Sequence, residues 1–267
     1  MLERHQPIGI FDSGIGGLTV ANAILEHLPQ ESLIYFGDTA HLPYGDKSAD
    51  AIRYYCLKIT KFLLEKNCKM IVVACNSASS VAYEVLLEFF QEQILFVNVV
   101  DPLVQVASQQ DFQKIGVIAT KATINSGVYQ QKLQENCPQM EVAAMATPLL
   151  APMIEEGFVH NKISALVLDT YLGSPDFQNI EALLLACTHY PLIKSDIEEY
   201  YNHQVAIFDS GDLVAQIVFK LLQEHDLLNT NPKPQHHFYI SDYTTSFEDT
   251  ARRFYTNDVH LEYCNIW

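Results

Sequence analysis

Positive charge is scarce in this sequence. Its 267 residues carry 16 Lys and Arg against 32 Asp and Glu, a formal net charge of −16. A surface that acidic repels phosphate backbones, which argues against nucleic acid as a partner. Arginine occurs only at Arg4, Arg53, Arg252 and Arg253, none of them in a strand-end motif, so bidentate phosphate recognition lacks its usual side chain. No CxxC pair is present; Cys56, Cys68, Cys75, Cys137, Cys187 and Cys264 are scattered, which speaks against a disulfide framework. Long apolar runs are missing too, since MIVVAC and ALLLAC fall far short of the ~20 residues of a membrane-spanning helix. The opening MLERHQPIGIFDSG holds no apolar signal core of roughly 7 to 15 residues. The expectation is a cytoplasmic protein that does not engage membranes.

What remains is the composition of a globule, 49% hydrophobic and 18% charged, long enough for one large domain or two small ones. Short apolar runs (IGIFD, SLIYF, MIVVA, ILFVNVV, KIGVIA, EVAAMA, ALLLA, QVAIFD) alternate with amphipathic stretches. Runs that are apolar on both parities read as strands buried on both faces, hence as parallel sheet. Ile52, Tyr55, Cys56, Ile59 and Leu63, spaced by three and four, read as one apolar face of a helix. The class is α/β.

Three strand-to-loop motifs recur in the same order. IGIFDSG from Ile8 resembles IGVIATKAT from Ile115, an offset of 107; VVACNSAS and LLACTHYP align Cys75 with Cys187, an offset of 112; VNVVDPLVQV and AIFDSGDLVAQIV align Asp101 with Asp209, an offset of 108. Two similar parallel-sheet α/β domains follow, and if they close on each other a site would lie at their interface. The expected division is residues 1–97 plus 210–267 in the first domain and 98–209 in the second. A helix over Asp212–Leu228, a strand HHFYIS, and a last helix and strand would complete the first.

Four polar clusters follow predicted strands, where open parallel sheets place ligands. Asp12-Ser13-Gly14-Ile15-Gly16-Gly17 has the glycines of a sharp strand-to-helix turn, but neither the Lys of a phosphate loop nor the spacing of a dinucleotide fold. Cys75-Asn76-Ser77 and Cys187-Thr188-His189 each put a thiol at an expected helix N-terminus, where the dipole would favour thiolate. Gly37 to Gly45 (GDTAHLPYG) forms the fourth. The plainer readings are a tight turn, two small buried hydrophobes, a capping Asp and a packed His. Two thiols at equivalent positions of two related halves favour function instead. If the halves close on a substrate, one thiol can remove a proton while the other delivers one to the opposite face, which inverts a stereocentre. Asp12 and His189 are suited to hold or shuttle the thiol protons. Backbone amides at Tyr44 and Gly45, with Ser13, Asn76, Ser77 and Thr188, offer neutral donors for carboxylates.

FDSGIGGLTV, GDTAHLPYG, VVACNSAS, LACTHYPL and the later FDSG also follow, in order and across nearly the whole chain, the signatures of the glutamate racemases of bacterial cell-wall synthesis, which this sequence resembles. The resemblance implies two α/β domains, no cofactor and no metal, and L- and D-glutamate as small-molecule substrate. It implies that Cys75 acts on D-glutamate and Cys187 on L-glutamate, assisted by Asp12 and His189. A Glu of a PxxE segment joins the family's site, which PMIEEG would supply as Glu155. The carried-over substrate contacts are Asp12, Ser13, Tyr44, Gly45, Asn76, Ser77, Thr188 and His189. D-glutamate for peptidoglycan, hence cell-wall biogenesis and cell shape, is the implied product, and a homodimer is compatible with the family. Two departures are visible: Ser77 stands where Thr is usual and His41 where Arg is common.

Other readings fit the residues alone. Aspartate or another acidic amino acid could be the substrate, because two thiols do not measure side-chain length. Asp12, Cys75, Cys187 and His189 are ligand types for zinc. Lys47, Lys121 or Lys194 would have to carry a pyridoxal Schiff base. A two-lobed carboxylate-binding module would bind without turnover.

Overall fold

The computed structural model describes residues 2–230, 233–255 and 259–267. Among the described residues ten strands form two sheets. They are β1 (Ile8–Asp12), β2 (Leu33–Gly37), β3 (Met70–Val73), β4 (Leu95–Asn98), β5 (Lys114–Ala119), β6 (Glu141–Ala146), β7 (Ala182–Ala186), β8 (Ala206–Phe208), β9 (His236–Ile240) and β10 (Leu261–Tyr263). The helices are α1 (Leu18–His27), α2 (Ala49–Glu65), α3 (Asn76–Phe90), α4 (Val100–Ser108), α5 (Lys121–Ser126), α6 (Val128–Asn136), α7 (Leu150–Glu155), α8 (Lys162–Leu172), α9 (Lys194–Tyr200), α10 (Gly211–Glu224) and α11 (Thr245–Phe254).

The first sheet runs β10-β9-β2-β1-β3-β4 and the second β6-β5-β7-β8. Every pairing is parallel. The order β2-β1-β3-β4 is therefore repeated as β6-β5-β7-β8, and β9 and β10 extend the first sheet at its β2 edge.

The repeat holds at single-residue register. Ile8 faces Met70 across β1 and β3, and Ile115 faces Ala182 across β5 and β7, reproducing the offsets of 107 and 112. The third alignment needs correcting. Val73 faces Asn98, whereas Leu184 faces Phe208, so the next pair sets Leu185, the equivalent of Val73, opposite Asp209. Asn98 rather than Asp101 is thus the counterpart of Asp209, an offset of 111. Both do the same job: Asn98 Oδ1 accepts from the Val100 amide at 2.8 Å and Asp209 Oδ1 from the Gly211 amide at 3.2 Å. The sequence alignment followed the matching Asp letters, and the backbone follows the turn each side chain caps.

Strand residues alternate between cores, as the pleat requires. Ile8, Ile10, Tyr35 and Val72 pack with Leu18 and Ile24 of α1 and Val214 and Val218 of α10. Phe11, Phe36, Ile71 and Val73 pack with Ile52, Cys56, Ile59 and Leu63 of α2 and Leu86 of α3. In the second sheet Ile115, Val117 and Leu184 pack on Leu103 and Leu133. Its opposite face, Ile118, Leu183 and Leu185, joins the same apolar cluster as β1 and α1, so one continuous core bridges the two sheets.

Helix α10 is shorter than its apolar pattern suggests, ending at Glu224 rather than Leu228. Asp226 takes a left-handed φ of 57°, and the Leu227 amide turns back to Leu222 O at 2.7 Å. That is a Schellman closure, and it leaves Leu227 packed on the core without extending the helix. No helix among the described residues is long and apolar enough to cross a membrane.

Candidate active site

Parallel strands deliver their carboxyl ends to one edge, and here the edges of both sheets meet. Asp12 ends β1, Cys75 follows β3, Cys187 follows β7 and Thr120 follows β5. They enclose a cavity of about 200 Å³ lined by Asp12, Ser13, Gly14, Leu42, Pro43, Tyr44, Gly45, Cys75, Asn76, Ser77, Thr120, Ala151, Pro152, Glu155, Cys187, Thr188 and His189. Every site residue read from the sequence borders this one space. Among the described residues its lining holds no Lys or Arg, which leaves His189 as the potential cation there. A larger cleft of about 580 Å³, between α3 and α6, contains neither thiol.

The glycine turn brings the sheets together. Asp12 Oδ2 accepts the amides of Gly14 at 3.2 Å and Gly17 at 3.0 Å, a capping role, while its charge lies near Cys75. A Cβ on Gly16 would come within 2.6 Å of Thr188 Oγ1, so only glycine lets the turn press on the second lobe. Thr19 Oγ1 then donates to Thr188 O at 3.0 Å. Ser77 Oγ lies 2.8 Å from Thr120 Oγ1, a second bond across the gap.

Cys75 is the N-cap of α3, with Sγ accepting from the Ala78 amide at 3.5 Å and lying 3.7 Å from Ser13 Oγ. The dipole does not make it a thiolate, contrary to the sequence expectation. Burial, followed by the charge of Asp12, pushes the thiol up to about 12, against smaller opposing effects of those hydrogen bonds. A helix terminus contributes about 0.3–1 kcal/mol. Moving a thiol from its ordinary 9 to about 12 takes about 4 kcal/mol, so desolvation wins.

Cys187 is arranged differently. It precedes a single 3-10 turn, Tyr190–Ile193, capped by His189, so no α-helix begins at Cys187. Its companion is His189, whose Nδ1 is 3.7 Å from Sγ and whose Nε2 is 2.7 Å from Glu155 Oε1. Burial works against charge on His189, but hydrogen bonds to Cys187 and Glu155, and their charges, outweigh it and raise the imidazole to about 10. An imidazolium thus faces the Cys187 sulfur. Phe254 of α11 packs edge-on against its ring at 5.1 Å, and Arg253 Nη1 donates to Glu155 O at 3.0 Å.

Asn76 accepts from the Tyr129 hydroxyl at 2.7 Å, while its buried Nδ2 has no acceptor among the described residues. Tyr44 is fully buried and donates its hydroxyl to Asp38 Oδ2 at 2.7 Å, so that hydroxyl is committed to the loop's own anchor. Thr120 escaped the sequence reading, although a signal existed: it lies 107 residues after Ser13, the repeat's own offset. Leu42, Pro43, Ala151 and Pro152 carry no chemical signature and enter only through packing. Lys47, Lys121 and Lys194 do not line the cavity, and Lys121 and Lys194 pair with Asp46 and Asp209. Among the described residues no group of three or more His, Cys, Asp or Glu side chains is placed to hold a metal ion.

Residues 17–218 match the family model of the Asp/Glu/hydantoin racemases. A glutamate racemase of Geobacter metallireducens is 41% identical over 249 residues, 92% of each chain. The crystal structure of glutamate racemase from Francisella tularensis in complex with D-glutamate superposes with a TM-score of 0.93 at 38% identity, covering 98% of both chains. An aspartate racemase of Picrophilus torridus, at 20% identity and a TM-score of 0.59 over 83% of this chain and 98% of that one, shares the fold alone. Two thiols of separate sheets on one cavity, on a fold matched over its whole length, thus have an evident kinship: the chain belongs to the Asp/Glu/hydantoin racemase family, groups within it with the glutamate racemases, and is an isomerase.

Proposed function

We propose that this racemase interconverts L- and D-glutamate by two-base proton transfer at Cα, with Cys75 and Cys187 as the bases and no cofactor. One observation carries the reading: thiols from equivalent strand ends of two related sheets border the same small cavity. For L-glutamate, Cys187, whose sulfur lies 3.7 Å from His189 Nδ1, takes the α-proton. Cys75, a thiol with its proton held to about 12, delivers that proton to the opposite face. The reverse direction exchanges the roles, and Glu155, half-exposed behind His189, links that side to solvent. Asp12, Ser13, Asn76, Ser77, Thr188 and the amides of Tyr44 and Gly45 hold the carboxylates and amine, and their dipoles stabilise the developing carbanion.

The domains of this reading are 1–97 with 210–267, and 98–209. Its product supplies peptidoglycan synthesis in the cytoplasm, a placement that suits thiols which must stay reduced to work. Replacing Cys75 or Cys187 with Ala is expected to lower racemisation about 10²- to 10⁴-fold, followed by circular dichroism with L- and D-glutamate and then aspartate. Turnover in deuterated water should label Cα of the product. Normal turnover in either variant, or retention of the substrate's own hydrogen, would overturn the two-base scheme. Preference for aspartate would move the substrate and leave the chemistry.

A further inference from the structure

The loop Gly37–Gly45 supplies four residues to the cavity, Leu42 to Gly45, yet no regular element runs through them except a 3-10 turn at Tyr44–Asp46. Something else must hold it. On its inner side the buried Asp38 accepts from the Tyr44 and Ser241 hydroxyls, each at 2.7 Å, and from His41 Nδ1 at 2.9 Å. On its outer side the His41 ring packs in a cluster with two aromatic rings that also touch each other. Tyr55 of α2 stacks on it at 4.2 Å with 22° between planes, and Trp267 meets it edge-on at 4.4 Å and 79°. Trp267 also meets Tyr55 at 5.3 Å and 82°. It arrives there because the Cys264 amide bonds to Ile240 O at 2.9 Å, which carries the chain past the edge of the first sheet towards the loop.

Resting on the reading of the cavity as the glutamate site, we propose that Trp267 is a positioning residue: its indole clamps His41, and through His41 holds Leu42–Gly45 in the geometry that receives the substrate. The indole touches neither cavity nor thiol, so it acts through the loop alone. Packing, not hydrogen bonding, does the holding, because the buried indole Nε1 has no acceptor among the described residues. Loop residues that contact a substrate equally in ground and transition states govern KM more than kcat.

The test uses the full chain. Trp267→Ala is expected to raise KM for both enantiomers about three- to tenfold with kcat within about twofold of the parent, and Trp267→Phe, which keeps a ring and loses only the N–H, to restore KM. An unchanged KM in Trp267→Ala, or a Phe variant as impaired as Ala, would overturn the proposal. So would a fall confined to kcat in step with lost folded protein. If the Ala variant does not fold, Trp267→Leu, which keeps apolar bulk and removes the ring, decides. A raised KM with kcat near the parent's in that variant supports the clamp, and an unchanged KM refutes it. An inactive parent enzyme, by contrast, would strike the glutamate reading and not the clamp.

Discussion

Glu155→Gln isolates the electrostatic half of the site. The substitution keeps an oxygen that can accept from His189 Nε2, now 2.7 Å from the carboxylate, and removes the charge. His189 sits at about 10, where an ordinary imidazole has 6.5, and Glu155 supplies one of the two partnerships responsible. A hydrogen bond to a charged group is worth about 1.5–3 kcal/mol. The Glu155 side chain is 37% exposed, so solvent screening places the effect at the lower end, about 1.5 kcal/mol. That corresponds to about one pH unit. The sign follows from the imidazolium being the working form. Activity that depends on it is present below the folded-state value and lost as pH rises through it, so the alkaline limb should move from about 10 to about 9. Enantiomers have equal free energies in water, so kcat/KM must fall equally in both directions and any directional difference must appear in kcat and KM separately. Circular dichroism from pH 6 upward, started from each enantiomer, measures all of this. An alkaline limb that stays in place would show that Glu155 does not charge His189.

Three further outcomes are expected. Alkylation of Cys75 by iodoacetamide should accelerate about tenfold per pH unit between neutral pH and about pH 10, because the thiol is held near 12, as peptide mapping can follow; a plateau below pH 9 would refute that protonation state. Gly16→Ala should lower kcat/KM at least about tenfold, since its Cβ would sit 2.6 Å from Thr188 Oγ1 and spread the two lobes at the reacting centre; parental kinetics would show that the turn yields elsewhere. Lys69→Ala removes one partner of a fully buried ion pair with Glu31, 2.6 Å away, along with donors to Arg4 O and Leu227 O. It should cost about 3–5 kcal/mol, seen as a fall in Tm and in denaturant midpoint, and a change below about 1 kcal/mol would mean that water replaces the lysine.

Much of this architecture was written locally. Apolar runs on both parities became strands, covered on both faces at the sheet centres (β1, β2, β3, β7) but half-exposed at β6 and β8, and the repeat offsets of 107 and 112 survived as hydrogen-bond register. Cysteine, glycine and hydroxyl residues at strand ends announced the site because parallel sheets send all such ends to one edge. What the sequence could not decide were quantities that depend on neighbours far along the chain. Cys75 and Cys187 look alike as buried thiols after strands, but one lies near Asp12 and the other against His189, whose far nitrogen meets Glu155. Their charged neighbours, not helix position, make their surroundings differ. The pairing of Asn98 with Asp209, the end of α10, the bond between Ser77 and Thr120, and Trp267 over His41 all belong to the folded chain. Each depends on which surfaces meet, and a short-range pattern carries no information about that.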